Sequence, residues 1–330
     1  MHLWRHDGAL YVAMAPREGH SPLEPRSVII DCDTGVDDAM ATLLALRSPA
    51  LNVVGITCVA GNTTLDKVVR NTLVVVEHSG KQVPVYEGSP KPLLTPLQVA
   101  EYAHGSDGLG DIGFPDPAGA PQAEHAVEFL VRTFSEADQP LHLITLGPLT
   151  NVAQALMREP KLEQRIRSLL MMAGGICGGN TSAAAEFNVW VDPEAADVVF
   201  RSAIPKTMVA LDPIMRYARF TEEDVEQLEA CEQPWCWMVS RLMRSRLKRW
   251  KGPISPPDVA AMGVAIDPTI ASGQGYAVAV ETKGEHTRGM TVVDRRRWRE
   301  MLGIEPNVHV VEQIDTSRYR ELFVSTLLGV

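Results

Sequence analysis

Asp31, Asp33, Asp37 and Asp38 fall within one short stretch, and what flanks them leaves few folds open. Ser27-Val28-Ile29-Ile30 before them is a continuous apolar run, the pattern of a strand covered on both faces, and Ala39 to Leu46 after them reads as a helix. All four carboxylates therefore sit at a single strand-to-helix turn. No Lys or Arg lies between Arg26 and Arg47 to neutralise them. Like charges this close either raise one another's pKa or recruit a cation. Open α/β sheets bind ligands beyond the carboxyl ends of their strands, where this turn falls. Gly35 is expected to give the turn a conformation that other residues resist, so that Asp33, Asp37 and Asp38 converge as hard oxygen ligands for Ca²⁺ or Mg²⁺. Helix capping and the macrodipole explain one or two acidic residues at a helix start, but not four.

Two acidic loops can be compared directly. An EF-hand requires Gly at its sixth position and Glu at its twelfth, and counting from Asp31 these are Val36 and Thr42. The haloacid dehalogenase-type phosphatases share the apolar strand and Asp-x-Asp, but usually carry Thr or Val where this chain has Gly35. A phosphatase stays as the alternative hydrolase.

With 330 residues, 45% of them hydrophobic, and no run long enough to span a bilayer, the chain is expected to be a soluble protein of one or at most two domains. A formal net charge of −10 argues against nucleic acid as a partner and for a small ligand. Cys32, Cys58, Cys177, Cys231 and Cys236 form no paired metal-ligand pattern, and their odd number suits a reducing, cytoplasmic location. Residues 1–26 lack the apolar core of a secretory signal and are expected to form a disordered extension, with the domain running from 27 to 330.

Beyond the acidic turn the pattern alternates strand and helix. Strands are expected at Leu51 to Val59, Val83 to Tyr86, Leu141 to Leu146, Ser168 to Ala173 and Lys206 to Leu211, with helices at Thr64 to His78, Ala123 to Ala137 and after Asn151. This rhythm predicts an α/β fold with a mostly parallel central sheet flanked by helices. Asn62 stands at the end of the second strand, matching the acidic turn in position. Residues 87–121 are rich in Gly, Pro and Asp and read as a long loop that carries His104. Glycines 174, 175, 178 and 179 follow a strand but do not open directly into a helix, which excludes a dinucleotide fingerprint. Asp192-Pro193 reads as an N-cap with Pro at the first helical position, and Thr221 to Asp224 as a capping box. From Glu232 to Lys251 a helix carries Trp235, Trp237, Trp250 and a run of Arg and Lys, either a solvated basic face or a lid. Asp258 would be the N-cap of an apolar helix from Val259 to Ile266. Strands at Ala277 to Val280, Met290 to Val293 and Val308 to Val311, and a helix from Ser317 to Leu328, complete the chain.

Taken in order, Asp31-Cys32-Asp33-Thr34-Gly35-Val36-Asp37-Asp38, Val59-Ala60-Gly61-Asn62, His104-Gly105, Gly147-Pro148-Leu149-Thr150-Asn151, Gly179-Asn180, Ala185-Glu186-Phe187-Asn188 and Asp192-Pro193-Glu194 resemble the inosine-uridine-preferring nucleoside hydrolases. The resemblance implies hydrolysis of a ribonucleoside to free base and ribose, in nucleoside metabolism and salvage, around a tightly held Ca²⁺. It implies Asp33, Asp38, the Leu146 carbonyl and Asp258 as metal ligands, with ribose hydroxyls and a water completing the shell. Asp37 would be the general base for that water and Asp31 a support behind the ligands. Asn62, Asn180, Glu186 and Asn188 would hold the ribose hydroxyls, with Met172 and Phe187 near the sugar and His104 near the leaving base. A homodimer or homotetramer is implied as well. In that group the residue before the last Asp ligand is commonly a His that protonates the base, and here it is Pro257. His104, Trp250 or Arg249 would have to substitute, or the chain would be a metal- and nucleoside-binding relative with weak or no catalysis.

Overall fold

The computed structural model describes residues 25–330. The strands are β1 Arg26–Cys32, β2 Leu51–Cys58, β3 Val85–Glu87, β4 His142–Thr145, β5 Ser168–Met172, β6 Lys206–Val209, β7 Ala271–Tyr276, β8 Val278–Val280, β9 Thr291–Val293 and β10 Val308–Ile314. The helices are α1 Val36–Arg47, α2 Leu65–Ser79, α3 Glu101–His104, α4 Ala126–Glu136, α5 Thr150–Arg158, α6 Phe187–Val191, α7 Pro193–Arg201, α8 Leu211–Tyr217, α9 Glu222–Glu229, α10 Pro234–Trp250, α11 Pro257–Ile266 and α12 Thr316–Leu328.

The central sheet runs in the order β3-β2-β1-β4-β5-β6-β10-β7, and β8 pairs with β9 as a separate ribbon. All pairings in the central sheet are parallel except that of β7 with β10. The expected single α/β domain is the one observed. Alternation along β1 shows why its sequence is apolar throughout. Val28 and Ile30 enter the core that contains α1, α2, α10, α11 and α12, while Ile29 enters the opposite core with α4, α5 and α7. A strand covered on both faces has no polar side to display. Helix α1 is likewise buried from Val36 to Leu46, since it lies between the sheet and further helices rather than at the surface.

The strand order reverses at the β1/β4 pair, because β2 and β3 extend the sheet one way from β1 and β4 onward extend it the other. Such a reversal opens a crevice at the carboxyl ends of the two strands. The acidic turn leaves β1 at this crevice.

Several boundaries differ from expectation for identifiable reasons. Residues 1–24 of the expected extension lie outside the described residues, but Arg26 already belongs to β1 and donates from Nη2 to the carbonyls of Ala265 and Ile266 at 2.6 and 2.8 Å. The 87–121 loop contains α3, which carries His104 into the interior. Helix α4 starts at Ala126, where His125 Nδ1 accepts the Val127 N–H. The expected strand to Leu211 ends at Val209, since Leu211 already begins α8. Strand β7 was not expected at all, because its Ser272-Gly273-Gln274-Gly275 carries no strand signature. Gly273 is required there by contact, since a Cβ would stand 2.0 Å from the Val310 carbonyl oxygen across the pair.

Candidate active site

At the end of β1 the chain turns through Asp33, Thr34 and Gly35 into α1, which places Asp37 and Asp38 in the first helical turn. Asp38 folds back over that turn. Its Oδ2 accepts the Gly35 N–H at 2.9 Å and an Asn62 Nδ2 hydrogen at 2.9 Å, and its Oδ1 accepts the Asp33 N–H at 3.3 Å. Asp33 Oδ2 accepts the Asn62 N–H at 2.7 Å, while Asp33 Oδ1 is buried with no hydrogen-bond partner. Two glycines make room for this carboxylate: a Cβ on Gly61 would lie 2.1 Å from Oδ2, and one on Gly147 would lie 2.8 Å from Oδ1.

Gly35 corrects the expected reading. Its φ of −96° is open to any residue, so no special conformation is involved. It is excluded from being larger by its neighbours, since a Cβ would fall 2.2 Å from His104 Nδ1 and 2.9 Å from Asn62 Nδ2.

Asp258 also differs from its expected position. Pro256 is the N-cap of α11, Pro257 occupies the first helical position, and Asp258 is the residue after it, 3% exposed. Oxygens of Asp37, Asp38 and Asp258 lie within 4.8 Å of one another. Burial, and then the neighbouring carboxylates, hold Asp33 and Asp258 well above the usual carboxylate range and raise Asp38 as well. Asp37 is the exception. Burial would raise it, but the Arg246 guanidinium, 2.7 Å from Oδ1, together with His104 and the backbone, outweighs this and the net shift is downward. Crowded buried carboxylates with one partnerless oxygen and only hard donors nearby fit a divalent cation. Asp33, Asp38, Asp258 and the Leu146 carbonyl could hold it.

Asp31 lies behind this cluster. Its Oδ2 accepts from Thr57 Oγ1 at 2.6 Å and Asn151 Nδ2 at 2.8 Å, and burial pushes its pKa up to about 7. The Asn151 amide also donates to the Cys58 carbonyl, which ties β1, β2 and α5 together.

A cavity of about 470 Å³ opens over the acidic turn, within the range of small-molecule sites. Of the expected residues, Asp37, Asn62, His104, Leu146, Met172, Asn180, Glu186, Phe187, Asn188 and Asp258 line it. Asp33 and Asp38 sit beneath, fully buried. Asn188 Nδ2 donates to the carbonyls of Leu146 and Met172 at 2.6 and 3.0 Å, and so fastens the ends of β4 and β5. Glu186 is the N-cap of α6 and accepts from the N–H groups of Asn188, Val189 and Gly174, so its carboxylate shapes the wall as well as facing the cavity. Asn180 Oδ1 accepts the Phe187 N–H at 3.0 Å.

Residues of α3, α10 and the segment before α11 line the cavity as well. His104 is buried, and its Nδ1 accepts the Val36 N–H at 3.1 Å and lies 3.6 Å from Asp37 Oδ1. Burial, helped by the charges of Arg246 and Arg249 against the opposing Asp37, pushes its pKa down to about 4. At neutral pH this ring is uncharged. Helix α10 divides its aromatic residues between packing and site. Trp235 lies under Arg47 and donates to the Leu327 carbonyl, and Trp237 stacks on His78, whereas Trp250 lines the cavity. Arg249 reaches the Tyr102 carbonyl and Asp111 instead of the cavity. Arg246 is the site residue that sequence reading missed. It stood in a basic run resembling a solvated face, and only its packing against the cavity distinguishes it.

An acid cluster able to hold a divalent cation, at a sheet switch point and beneath a cavity lined by amide and carboxylate groups, makes a site for a small polar substrate. Residues 28–321 match the family described as inosine-uridine preferring nucleoside hydrolase, and the chain belongs to that family. Its reaction class is hydrolysis of the N-glycosyl bond of a nucleoside, which removes the phosphatase alternative. The chain is 38% identical over 309 residues to the pyrimidine-specific ribonucleoside hydrolase RihA of Shewanella woodyi, covering 92% of this chain and 98% of that one. It is also 38% identical over 307 residues to RihA of Salmonella gallinarum, covering 91% and 97%. Among solved structures, a plant nucleoside hydrolase superposes with a TM-score of 0.86 at 28% identity, covering 93% of this chain and all of that one. A purine-preferring ribonucleoside hydrolase from Gardnerella vaginalis superposes with a TM-score of 0.86 at 29% identity, covering 92% and 98%.

Proposed function

We propose that this enzyme hydrolyses ribonucleosides, pyrimidine ribonucleosides foremost, to free base and ribose with Ca²⁺ in the acid cluster. The observation that carries this reading is the set of buried, mutually repelling carboxylates beneath a cavity lined by Asn62, Asn180, Glu186 and Asn188. The 38% identity to pyrimidine-specific relatives supports the order of substrates.

Departure of the base leaves positive charge on the ribose ring, as in glycoside hydrolysis generally. An acidic cavity stabilises that charge, and the amide and carboxylate groups hold the sugar hydroxyls so that C1′ faces the attacking water. Met172 and Phe187 exclude bulk water from one side of the sugar. When bound, the cation supplies an acidified water and a fixed point for the ribose hydroxyls. Asp37 takes the proton of the water from its place on the cavity wall. One observation favours a second assignment: Asp33 Oδ1 is buried and unpartnered, and its carboxylate has the higher proton affinity, whereas Asp37 is paired with Arg246. Asp37→Asn and Asp33→Asn, each assayed for ribose release with bound Ca²⁺ measured separately, distinguish the two. The base is the residue whose variant keeps the ion and loses at least about 10²-fold in kcat.

The same reading places the enzyme in the cytoplasm as a homodimer or homotetramer acting in nucleoside salvage. Ribose release from uridine, cytidine, inosine, adenosine and guanosine, with and without chelation, tests the central claim. Binding of these nucleosides with no ribose from any of them would instead support a binding relative, the outcome that Pro257 would favour.

A further inference from the structure

Breaking the C1′–N bond delivers an electron pair to the base, and an enzyme must supply a proton, a hydrogen bond or a positive charge where that pair arrives. The obvious suppliers are occupied or absent. Pro257 has no side-chain hydrogen to give. His104 Nδ1 already accepts the Val36 N–H, so its ring hydrogen sits on Nε2 and it can offer one neutral hydrogen bond. Arg249 does not line the cavity and is committed to the Tyr102 carbonyl and Asp111.

Arg246 is differently placed. Among the described residues that line the cavity it is the one Lys or Arg, and its side chain is only 12% exposed. Asp37 Oδ1 accepts from Nη2 at 2.7 Å, which fixes the plane of the guanidinium. Its Nε is buried and has no hydrogen-bond partner. Buried donors are almost always satisfied, and a specific exception calls for an explanation. The cavity that Arg246 lines is also lined by His104, Trp250 and Pro257, together with Asn188 and Phe187.

Resting on the proposed nucleosidase activity, we infer that Arg246 is the catalytic residue that stabilises the departing base as an anion, taking the place of a proton donor at Pro257. In this step the C1′–N bond breaks and its electron pair moves onto the ring nitrogen and the conjugated carbonyl of the base, where the guanidinium donates. The water oxygen bonds to C1′ and its proton passes to the carboxylate base. Solvent then protonates the released base while the carboxylate returns its proton to solvent, so the sum is nucleoside plus water to base plus ribose. Asp37 is the orienting partner of Arg246 as well as its neighbour.

The test compares two leaving groups in Arg246→Gln and Arg246→Lys. One substrate is the faster of uridine and inosine, and the other is 4-nitrophenyl β-D-ribofuranoside, whose nitrophenolate departs as a stable anion without help. Arg246→Gln is expected to lose about 10²-fold or more in kcat on the nucleoside and at least about tenfold less than that on the nitrophenyl riboside, the loss common to both being its effect on Asp37, with Arg246→Lys between wild type and Gln on the nucleoside. Equal losses on both substrates would mean that Arg246 acts through Asp37 or through the fold, and would overturn the inference. So would full activity on both. Thermal melts check that the variants fold, and if the Gln variant does not, the same two-substrate comparison is made with Lys. A wild-type enzyme that hydrolyses neither substrate removes the nucleosidase reading and this inference with it, whereas an active wild type with equal losses removes the inference alone.

Discussion

Gly35 and His104 are in contact across the top of the acidic turn, and a single carbon added to the glycine would stand 2.2 Å from the imidazole Nδ1. The contact ties the helix that carries Asp37 and Asp38 to the short helix that forms one cavity wall. Gly35→Ala must therefore displace His104, Asn62 or both. Overpacking of this kind costs about 1–3 kcal/mol, and the loss of alignment should lower kcat/KM by about 10²-fold. Denaturant unfolding and steady-state kinetics on the same variant check both figures. A variant that matched wild type in both would show that the two residues are not in contact.

The acid cluster makes a prediction about pH and metal together. Asp31, Asp33, Asp38 and Asp258 all have folded pKa values above their ordinary 3.8, so the folded metal-free protein binds more protons than the unfolded chain. Their contribution is fully present below 3.8 and is lost as pH rises through the folded values, with Asp31 completing its loss near 7. The chelated protein should thus melt at progressively lower temperature from weakly acid to neutral pH. A saturating divalent cation should reverse the trend at neutral pH, by about 2.7 kcal/mol at a hundredfold excess over Kd. Melting curves with EDTA and with CaCl₂ across that range decide it, and identical curves would remove the metal from the site.

His142 supplies an opposite slope. Burial, with the charges of Arg26 and Arg167, pushes its pKa from 6.5 down to about 4, and its Nδ1 pairs with Ser168 Oγ at 2.7 Å. The unfolded chain takes up a proton before the folded one does, so its contribution is intact above 6.5 and is lost as pH falls toward 4. The loss amounts to at most about 3 kcal/mol. In His142→Gln, the difference in stability from wild type should vary over this window and be constant above it. A difference that does not change with pH would exclude the effect.

Asn188 gives a prediction from hydrogen bonding alone. Its amide donates to two carbonyls, those of Leu146 and Met172. Asn188→Asp turns that donor into a carboxylate facing two carbonyl oxygens, at a cost of about 2–4 kcal/mol in the metal-free protein. Urea unfolding measures this, and a loss below about 1 kcal/mol would show that the amide is not what holds the ends of β4 and β5.

What could be read from sequence followed from burial pattern and local chemistry. The parallel strands were legible because each is an apolar run covered on both faces, and the acid cluster because four carboxylates at one turn demand an explanation. Strand β7 was not legible, since Gly273 is selected by the Val310 carbonyl across the pair and not by strand propensity. His104 read as a loop residue because four residues of helix leave no periodic trace. Gly35 was recognised as special for a conformational reason, when the cause is a neighbour distant in sequence. Arg246 was hidden among other Arg and Lys residues of α10, where only packing against the cavity separates it from solvated ones.

Asp258 meets Asp37 and Asp38 from the other end of the chain, on a helix whose last carbonyls are bonded to Arg26 at the start of β1. During synthesis the early carboxylates leave the ribosome long before Asp258 has been made. A growing chain accordingly has an incomplete set of carboxylates at this turn until Asp258 has been added. Completion of the acid cluster is thus a late event in synthesis, and a truncated translation product lacking α11 would carry the acidic turn without its clasp.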